Sequence, residues 1–270
     1  MNPHSSLRDA LRRRAADLGL ALGLACVAGP VIAHDSWFQR LSSKPNATVL
    51  ALGTGNLFPH IEFGIDPRYF KARGCRDDQN QPRELLALRS TPTLLWLRTA
   101  GDASVCWMQL APFEVELPAD KIDLYLAEVN PTPAVRAAWQ ALQARGLPWK
   151  ERYTKHARVA LPTAAGGIGE AAAQPAPLGL DLLLEASTGA LRVQVLRDGQ
   201  PLPGFAVELR SVDISTLGGG IWQRTDAQGR AQFERPGAGR WLLRGIDLRL
   251  STEQPDSWDS RFITHSFELR

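Results

Sequence analysis

The sequence contains few of the features that mark disulfide-rich, membrane-embedded or nucleic-acid-binding proteins. Three cysteines in 270 residues exclude a disulfide-dense scaffold. After the N-terminal segment, no apolar run reaches the ~18 residues that would indicate a membrane-spanning helix. The 31 basic residues nearly balance the 28 acidic ones and form no basic stripe, so nucleic acid is not an expected partner. The composition is that of an ordinary globular protein.

Motifs of the common hydrolases, metalloproteases and nucleotide-binding proteins are also missing. The chain has no Gly-x-Ser-x-Gly, no His-Glu-x-x-His and no Walker loop. Gly53 and Gly55 are followed by neither a lysine nor a helical pattern, so we expect a turn or bulge there. We predict a protein that is not an enzyme.

The N-terminal thirty-three residues are typical of an export signal. Four arginines precede a short apolar run at 18–28, and Val31 and Ala33 suit positions −3 and −1 of a cleavage site. Cleavage after Ala33 would make His34 the first residue of a periplasmic or secreted protein. The chain without this signal carries 27 basic and 26 acidic residues, because the signal removes four of the 31 and two of the 28.

Cysteine usage agrees with export. Cys26 would leave with the signal, although a lipidated Cys26 and an uncleaved membrane anchor remain alternatives. Cys75 and Cys106 are then the remaining pair, and in an oxidising compartment we expect them to form a disulfide. Closing a loop of this size would contribute on the order of 3–4 kcal/mol.

The pattern after the signal predicts a mostly β protein with two β-sandwich-like domains. Residues 34–161 form the first, in which Phe113, Val115 and Leu117 alternate with glutamates as in a half-buried strand. A short helical insertion interrupts this domain at about 118–146, where apolar residues recur at three- and four-residue spacing.

A second sandwich is predicted at 178–270, after a segment at 162–177 that is rich in Ala, Gly and Pro. We interpret the 162–177 segment as a linker or mobile loop. Asp198-Gly199 and Pro236-Gly237 are turn signals between alternating apolar runs in the second domain.

Two resemblances to known families follow from these motifs. Residues 198–204 (DGQPLPG) with 225–230 (TDAQGR) resemble the carboxypeptidase-regulatory and transthyretin-like sandwich family, which implies a fold of transthyretin or immunoglobulin type. Three further motifs are similar in order to a bacterial periplasmic family of unknown function that is associated with nickel or cobalt uptake: 34–37 (HDSW), 117–126 (LPADKIDLYL) and 151–157 (ERYTKHA). That resemblance covers 34–270 and implies metal handling, with an envelope metal transporter or outer-membrane receptor as partner.

His34 is the strongest candidate metal ligand. The α-amine and ring Nδ1 of an N-terminal histidine can chelate one ion, and imidazole suits nickel, cobalt, copper and zinc. Asp35 could add an oxygen ligand or orient the ring.

The other histidines are weaker candidates because no His-x-His or Cys-x-x-Cys spacing occurs. His60 follows Phe58-Pro59 in an expected loop. His265 shares a strand face with Ile263 and Phe267, so a buried structural role is its alternative. His156 is expected to be exposed. The predicted metal set is therefore His34, Asp35, His60 and His265, around one Ni, Co or Cu ion.

The sequence thus favours a periplasmic, non-enzymatic binding protein for a divalent transition metal. A metal-free β-sandwich that serves as an interaction or structural module of the cell envelope is the alternative. A carbohydrate-binding sandwich is a third possibility, and it would require exposed tryptophans such as Trp222, Trp241 or Trp258.

Overall fold

The computed structural model describes residues 34–163, 166–213 and 219–270. The predicted signal at 1–33 lies outside these residues. Within them the protein is mostly β, with sandwich-like sheets and two α-helices, as the sequence predicts. No described helix combines the length and apolar character needed to cross a lipid bilayer.

The elements in chain order begin with nine strands: β1 (Asp35–Lys44), β2 (Ala47–Gly55), β3 (Phe63–Gly64), β4 (Phe70–Arg76), β5 (Pro82–Arg83), β6 (Leu86–Ser90), β7 (Leu95–Thr99), β8 (Val105–Leu110) and β9 (Phe113–Leu117). Two helices and a long strand follow: α1 (Ala119–Val129), α2 (Pro133–Ala144) and β10 (Trp149–Ala160). The remaining strands are β11 (Leu180–Ala186), β12 (Ala190–Arg197), β13 (Gln200–Pro201), β14 (Ala206–Ser211), β15 (Ile221–Arg224), β16 (Arg230–Glu234), β17 (Gly239–Leu250) and β18 (Trp258–Leu269).

The described strands form three sheets. A nine-stranded sheet has the order β15-β14-β17-β18-β10-β8-β4-β5, with β9 also paired to β10. A five-stranded sheet contains β1, β2, β3, β6 and β7, and a four-stranded sheet contains β11, β12, β13 and β16. In the nine-stranded sheet β10 and β18 run parallel, whereas β17 and β18 are antiparallel.

The two smaller sheets cover opposite faces of the large one. Alternate residues of β18 face opposite ways: Thr264 donates to the Ser36 carbonyl of β1, whereas Ile263 packs among the apolar residues of β11 and β12. The two predicted sandwiches therefore share the large sheet as a common wall, because strands from both sides of the 162–177 boundary enter it. Their division into two separately folding domains stays a prediction.

Residues 166–177 of the predicted linker contact the large sheet in this structure. Ala171 and Ala172 are buried in a short 3₁₀-helix, and the fully buried Arg158 of β10 donates to the carbonyl of Ala172 and, at 2.7 Å, to the carboxylate of Asp181. Alanine side chains are small enough to pack closely there. A composition that suggests a linker is therefore also compatible with a segment that packs on the large sheet.

The helical insertion occurs where the sequence predicts it. Ile122, Tyr125, Leu126 and Val129 of α1 are buried, and Trp139 of α2 joins them against the large sheet. The ring of Trp139 lies 5.1 Å from that of Trp149, so Trp139 is part of the core.

The expected disulfide joins Cys75 of β4 to Cys106 of β8. The two residues are directly paired in the sheet register, and both are buried. The bond therefore links two neighbouring strands inside the first sandwich.

The turn or bulge expected at Gly53 and Gly55 is wrong, because both residues belong to β2 and pair with β1. Their glycine character has another cause. A Cβ on Gly53 would overlap the side chain of Ile61, and a Cβ on Gly55 would overlap the carbonyl oxygen of His60. The two glycines thus let the segment that carries His60 lie directly against the end of β2.

Candidate metal site at the His34 end of β1

The backbone that follows His34 is held firmly. Asp35, Ser36, Trp37 and Phe38 are all buried, and Asp35 pairs with Gly55 across the β1–β2 ladder. From the large sheet, Thr264 Oγ1 donates to the Ser36 carbonyl at 2.6 Å and Ser266 Oγ donates to the Phe38 carbonyl at 2.8 Å. His34 therefore stands at the start of a strand that is fixed on two sides.

The His34 ring lies beside a carboxylate that the sequence does not single out. Its Nε2 is 3.8 Å from Glu62 Oε2, and the His34 side chain is 22% exposed. The ring packs edge-on against Phe63, with centroids 5.5 Å apart. Glu62 accepts hydrogen bonds from the backbone N–H and side-chain amide of Asn56, at 3.0 and 3.3 Å. A partly exposed imidazole and an oriented carboxylate thus meet at one end of the five-stranded sheet.

The segment 56–62 brings His60 to this same end. The Glu62 backbone N–H donates to the Thr54 carbonyl at 2.9 Å, and the His60 N–H donates to the Leu57 carbonyl at 2.7 Å. His60 itself is exposed. In the sequence, the one feature that could have suggested Glu62 as part of the site is its position two residues after His60.

Asp35 points away from this end and into the interior. Its carboxylate pairs with Arg244 of β17, whose Nη1 lies 2.7 Å from Glu208 Oε2. Glu208 also pairs with Arg210 at 3.1 Å, and all four side chains are buried. Burial alone would lower the pKa of Arg244, but the charges of Asp35 and Glu208 outweigh that effect and raise it. The role of Asp35 visible here is to anchor β1 through a charged guanidinium.

His265 lies on the opposite face of the large sheet. Because it follows Thr264, it faces the four-stranded sheet, where its Nδ1 bonds to the Leu182 carbonyl at 2.8 Å. The ring is fully buried, and burial together with the charge of Arg158 holds its pKa well below the usual value. The buried structural role given as its alternative agrees with this placement, so we leave His265 and Asp35 out of the site developed below.

The expectation that His156 is exposed is wrong. It is 1% exposed, because β10 is an inner strand of the large sheet and Gly179 lies over the ring. Its Nδ1 bonds to the Phe262 carbonyl at 2.9 Å, and burial lowers its pKa to about 4.

The structure thus brings His34, Glu62 and the loop of His60 together, and separates Asp35 and His265 from them. Across the described ranges no three His, Cys, Asp or Glu side chains are grouped in a way that could hold a metal ion. Side chains alone therefore supply two or fewer ligands, and a site at His34 depends on its backbone amine.

The tryptophans do not form an exposed platform. Five are buried and three are half-buried, the latter being Trp96, Trp222 and Trp241. Trp258 is fully buried and stacks on Trp149, with ring centroids 4.6 Å apart. The exposed tryptophans required by the carbohydrate-binding alternative are absent from the described part of the chain.

Comparisons with known proteins give little guidance. No family model and no curated protein matches the chain. Among solved structures it is similar to a fragment of native α2-macroglobulin from Escherichia coli that spans domains MG0-NIE-MG1. The sequence identity is 13%, with 90% of this chain and 98% of that chain covered, and the TM-score is 0.23. A likeness at this level carries no argument about function.

Proposed function

We propose that the protein is a periplasmic, non-enzymatic binding protein for one divalent transition-metal ion, with nickel, cobalt and copper as candidates. In this proposal, removal of residues 1–33 frees the α-amine of His34. The amine and ring Nδ1 chelate the ion, which passes to an envelope transporter or outer-membrane receptor. The observation that supports the proposal is the rigid placement of His34 beside Glu62.

Rigidity favours metal binding at this position. A free chain end must lose conformational freedom when it chelates an ion, and that loss weakens binding. Here the next four residues are buried and β1 is bonded to β18. The amine of the processed chain would therefore be largely ordered before the ion arrives.

Glu62 favours the chelating arrangement of the ring. A carboxylate next to one ring nitrogen of a metal-bound histidine fixes the ring and increases its basicity. Glu62 lies next to Nε2, which would leave Nδ1, the nitrogen nearer the backbone, for the ion. His60, on the same loop, is the candidate for an additional imidazole ligand.

The disulfide supports the proposed compartment. Bonds such as Cys75–Cys106 form and persist in oxidising environments and are rare in the cytosol of most organisms. A periplasmic location would also expose the protein to a leader peptidase, which the proposal requires.

Calorimetric titration of the processed protein with nickel, cobalt and copper salts tests the proposal. We expect about one equivalent of at least one metal to bind, because the amine and imidazole form a single chelate. His34→Ala, or one additional residue before His34, should abolish binding. Glu62→Gln should weaken it by about tenfold or more, as loss of a partner that orients a ligand does.

His156→Gln is the matched control, because this histidine is buried away from the site. Unchanged binding in both His34 variants would contradict the proposal. Absence of heat with all three metals would contradict it too, and would favour the metal-free interaction module.

A further inference from the structure

Lys155 is a charged residue on an otherwise apolar stretch of β10. Side chains alternate along a strand, so Tyr153, Lys155 and Ala157 share one face. Ala157 belongs to the apolar cluster under the five-stranded sheet, whereas Tyr153 packs against the cluster under α1 and α2. Lys155 therefore lies between two apolar clusters, and its side chain is partly buried.

The pairing of β10 changes beside Lys155. Up to Tyr153 the strand pairs with β9, and from His156 onwards it pairs with β8. The connection between β8 and β9 lies opposite Lys155 without ladder pairing. On the other side, the buried Phe262 of β18 is in register with it. The lysine is thus placed at an interruption of the ladder, next to an aromatic ring.

The ammonium of Lys155 has no partner of opposite charge. Within the described ranges no carboxylate forms an ion pair with its Nζ, and no oxygen accepts a hydrogen bond from it. Its Nζ lies 5.7 Å from the centre of the Tyr153 ring. A partly buried ammonium without a carboxylate or a hydrogen-bond acceptor is costly to keep charged.

Two buried carboxylates on this side of the large sheet are engaged by other groups. Asp35, whose charge acts on the ammonium, is bonded to Arg244. Glu151 accepts hydrogen bonds from Tyr125 and from Trp149, both at 2.8 Å. Neither carboxylate is therefore available to pair with the amine.

These surroundings favour the neutral amine. Burial lowers the pKa of Lys155 from 10.5 to about 8, although the charge of Asp35 opposes that change. About a quarter of the amine is then neutral at about pH 7.5, against roughly one part in a thousand for an ordinary lysine. Neutral lysine is a nucleophile, and desolvation is one of the ways in which proteins activate it.

The other lysines of the chain differ from Lys155. Lys121 is paired with Asp120 at 3.2 Å. The remaining ones are exposed, namely Lys44, Lys71 and Lys150. Lys150 offers an internal comparison, because it belongs to the same strand but faces the opposite way.

We propose that Lys155 is a covalent binding site for small aldehydes. The lone pair of the neutral Nζ attacks the carbonyl carbon. The two amine hydrogens then leave with the carbonyl oxygen as water, and a C=N bond replaces the C=O bond. Partial burial limits the site to small aldehydes, and the rings of Tyr153 and Phe262 favour an apolar substituent. The site requires neither His34 nor a metal ion.

Reductive trapping of the folded protein with propionaldehyde and cyanoborohydride at about pH 7.5 tests the proposal. Cyanoborohydride converts the imine into a stable secondary amine, which peptide mass spectrometry locates. We expect Lys155 to be labelled about tenfold faster than Lys150. This ratio is smaller than that of the neutral fractions, because an amine of lower pKa is a weaker nucleophile.

The same measurement in concentrated guanidinium chloride is the control for structure. There both side chains are solvated, so Lys155 and Lys150 should react at similar rates. Equal labelling of the two lysines in the folded protein would overturn the proposal. A preference for Lys155 that persisted in the unfolded chain would overturn it too, because burial would then not be the cause.

A pair of variants at Tyr153 tests the missing ion pair. Tyr153→Glu places a carboxylate beside Nζ, and Tyr153→Gln is its uncharged match. The added charge favours the ammonium, so Lys155 should be labelled about fivefold more slowly in Tyr153→Glu than in Tyr153→Gln. Lys150 should be labelled equally in both. Equal labelling of Lys155 in the two variants, with circular dichroism showing both folded, would overturn the role given to the missing partner.

Discussion

Asp35 and His34 are adjacent in the chain but have different environments. The Asp35 carboxylate is buried against Arg244, whereas the His34 ring is partly exposed beside Glu62. Removing one member of a buried ion pair leaves the other charge without compensation, which commonly costs about 3–5 kcal/mol. Asp35 therefore stabilises the fold, whereas His34 is the residue that would bind the metal ion.

Asp35→Ala should lower the free energy of unfolding by about 3–5 kcal/mol and leave metal binding by the folded protein intact. Urea unfolding and calorimetry on the same sample measure the two effects. Asp123→Ala, on the exposed face of α1, is the control and should change neither. A variant of normal stability that fails to bind metal would show instead that Asp35 is a ligand.

The two buried histidines make stability depend on pH. The pKa of His156 falls from its ordinary 6.5 to about 4 because of burial, so between these values the unfolded chain binds more protons than the folded one. The free energy of unfolding therefore decreases as the pH falls through this range. His156 accounts for on the order of 3 kcal/mol, and His265 adds to the effect.

Urea unfolding from about pH 7 to about pH 4.5 measures this dependence. His156→Gln keeps a donor for the Phe262 carbonyl but cannot take up a proton, so its stability should fall less steeply with decreasing pH, by up to about 1.4 kcal/mol per pH unit. The Gln143→Ala variant, at an exposed position of α2 that does not titrate, should retain the original slope. Parallel slopes in all three proteins would show that His156 does not contribute.

Some of these residue roles could not be predicted from the sequence. Glu62 contacts His34 only because the 56–62 segment turns back on β2, and no local sequence pattern predicts that contact. His156 has polar neighbours at 154 and 158, which suggest a solvated face. The buried pairing of Arg158 with Asp181 explains why that inference is wrong.

At the scale of single elements, local sequence patterns predict the position of a strand or helix well wherever one side of it packs against the rest of the protein. The bounds of β9 agree with the predicted strand because glutamates alternate with Phe113, Val115 and Leu117. Apolar spacing likewise locates α1 and α2. Gly53 and Gly55 are the exception, since their small size serves a contact with a loop rather than a turn of their own.

The disulfide between β4 and β8 allows a prediction at this scale. Cys75→Ala with Cys106→Ala should lower the free energy of unfolding by about 3–4 kcal/mol, mainly because the unfolded chain loses a closed loop. Because both sulfurs are buried, a mild reductant should have little effect on the folded protein. Denaturant titration of the two proteins measures the loss, and equal stabilities would contradict it.

At the scale of the whole molecule, the shared sheet governs how the two sandwiches behave. Loss of β17 or β18 would remove contacts from both. Leu243 and Ile263 belong to the apolar cluster under the four-stranded sheet, whereas on the other face Leu242 packs with Trp37 and Thr264 donates to the Ser36 carbonyl. The sequence predicts two sandwiches correctly as a class of architecture. It does not reveal the shared wall, because strand periodicity carries no information about which strand becomes the neighbour.

We therefore expect residues 34–270 to unfold in one transition. Hydrogen exchange can follow β1 and β2 in the five-stranded sheet separately from β11 and β12 in the four-stranded sheet. The two signals should have the same urea midpoint, as expected for a cooperative unit. Separate midpoints would support two independently folding domains divided at 162–177.

The parallel pairing of β10 with β18 also sets an order of events during synthesis. The ring of His156 bonds to the carbonyl of Phe262, which lies 106 residues further along the chain. Contacts between such distant segments form slowly. Until those residues emerge from the ribosome, the inner edge of β10 lacks its neighbour and the large sheet stays open. A chain whose sheet closes so late stays unfolded for longer, and the export proposed above would require that unfolded state.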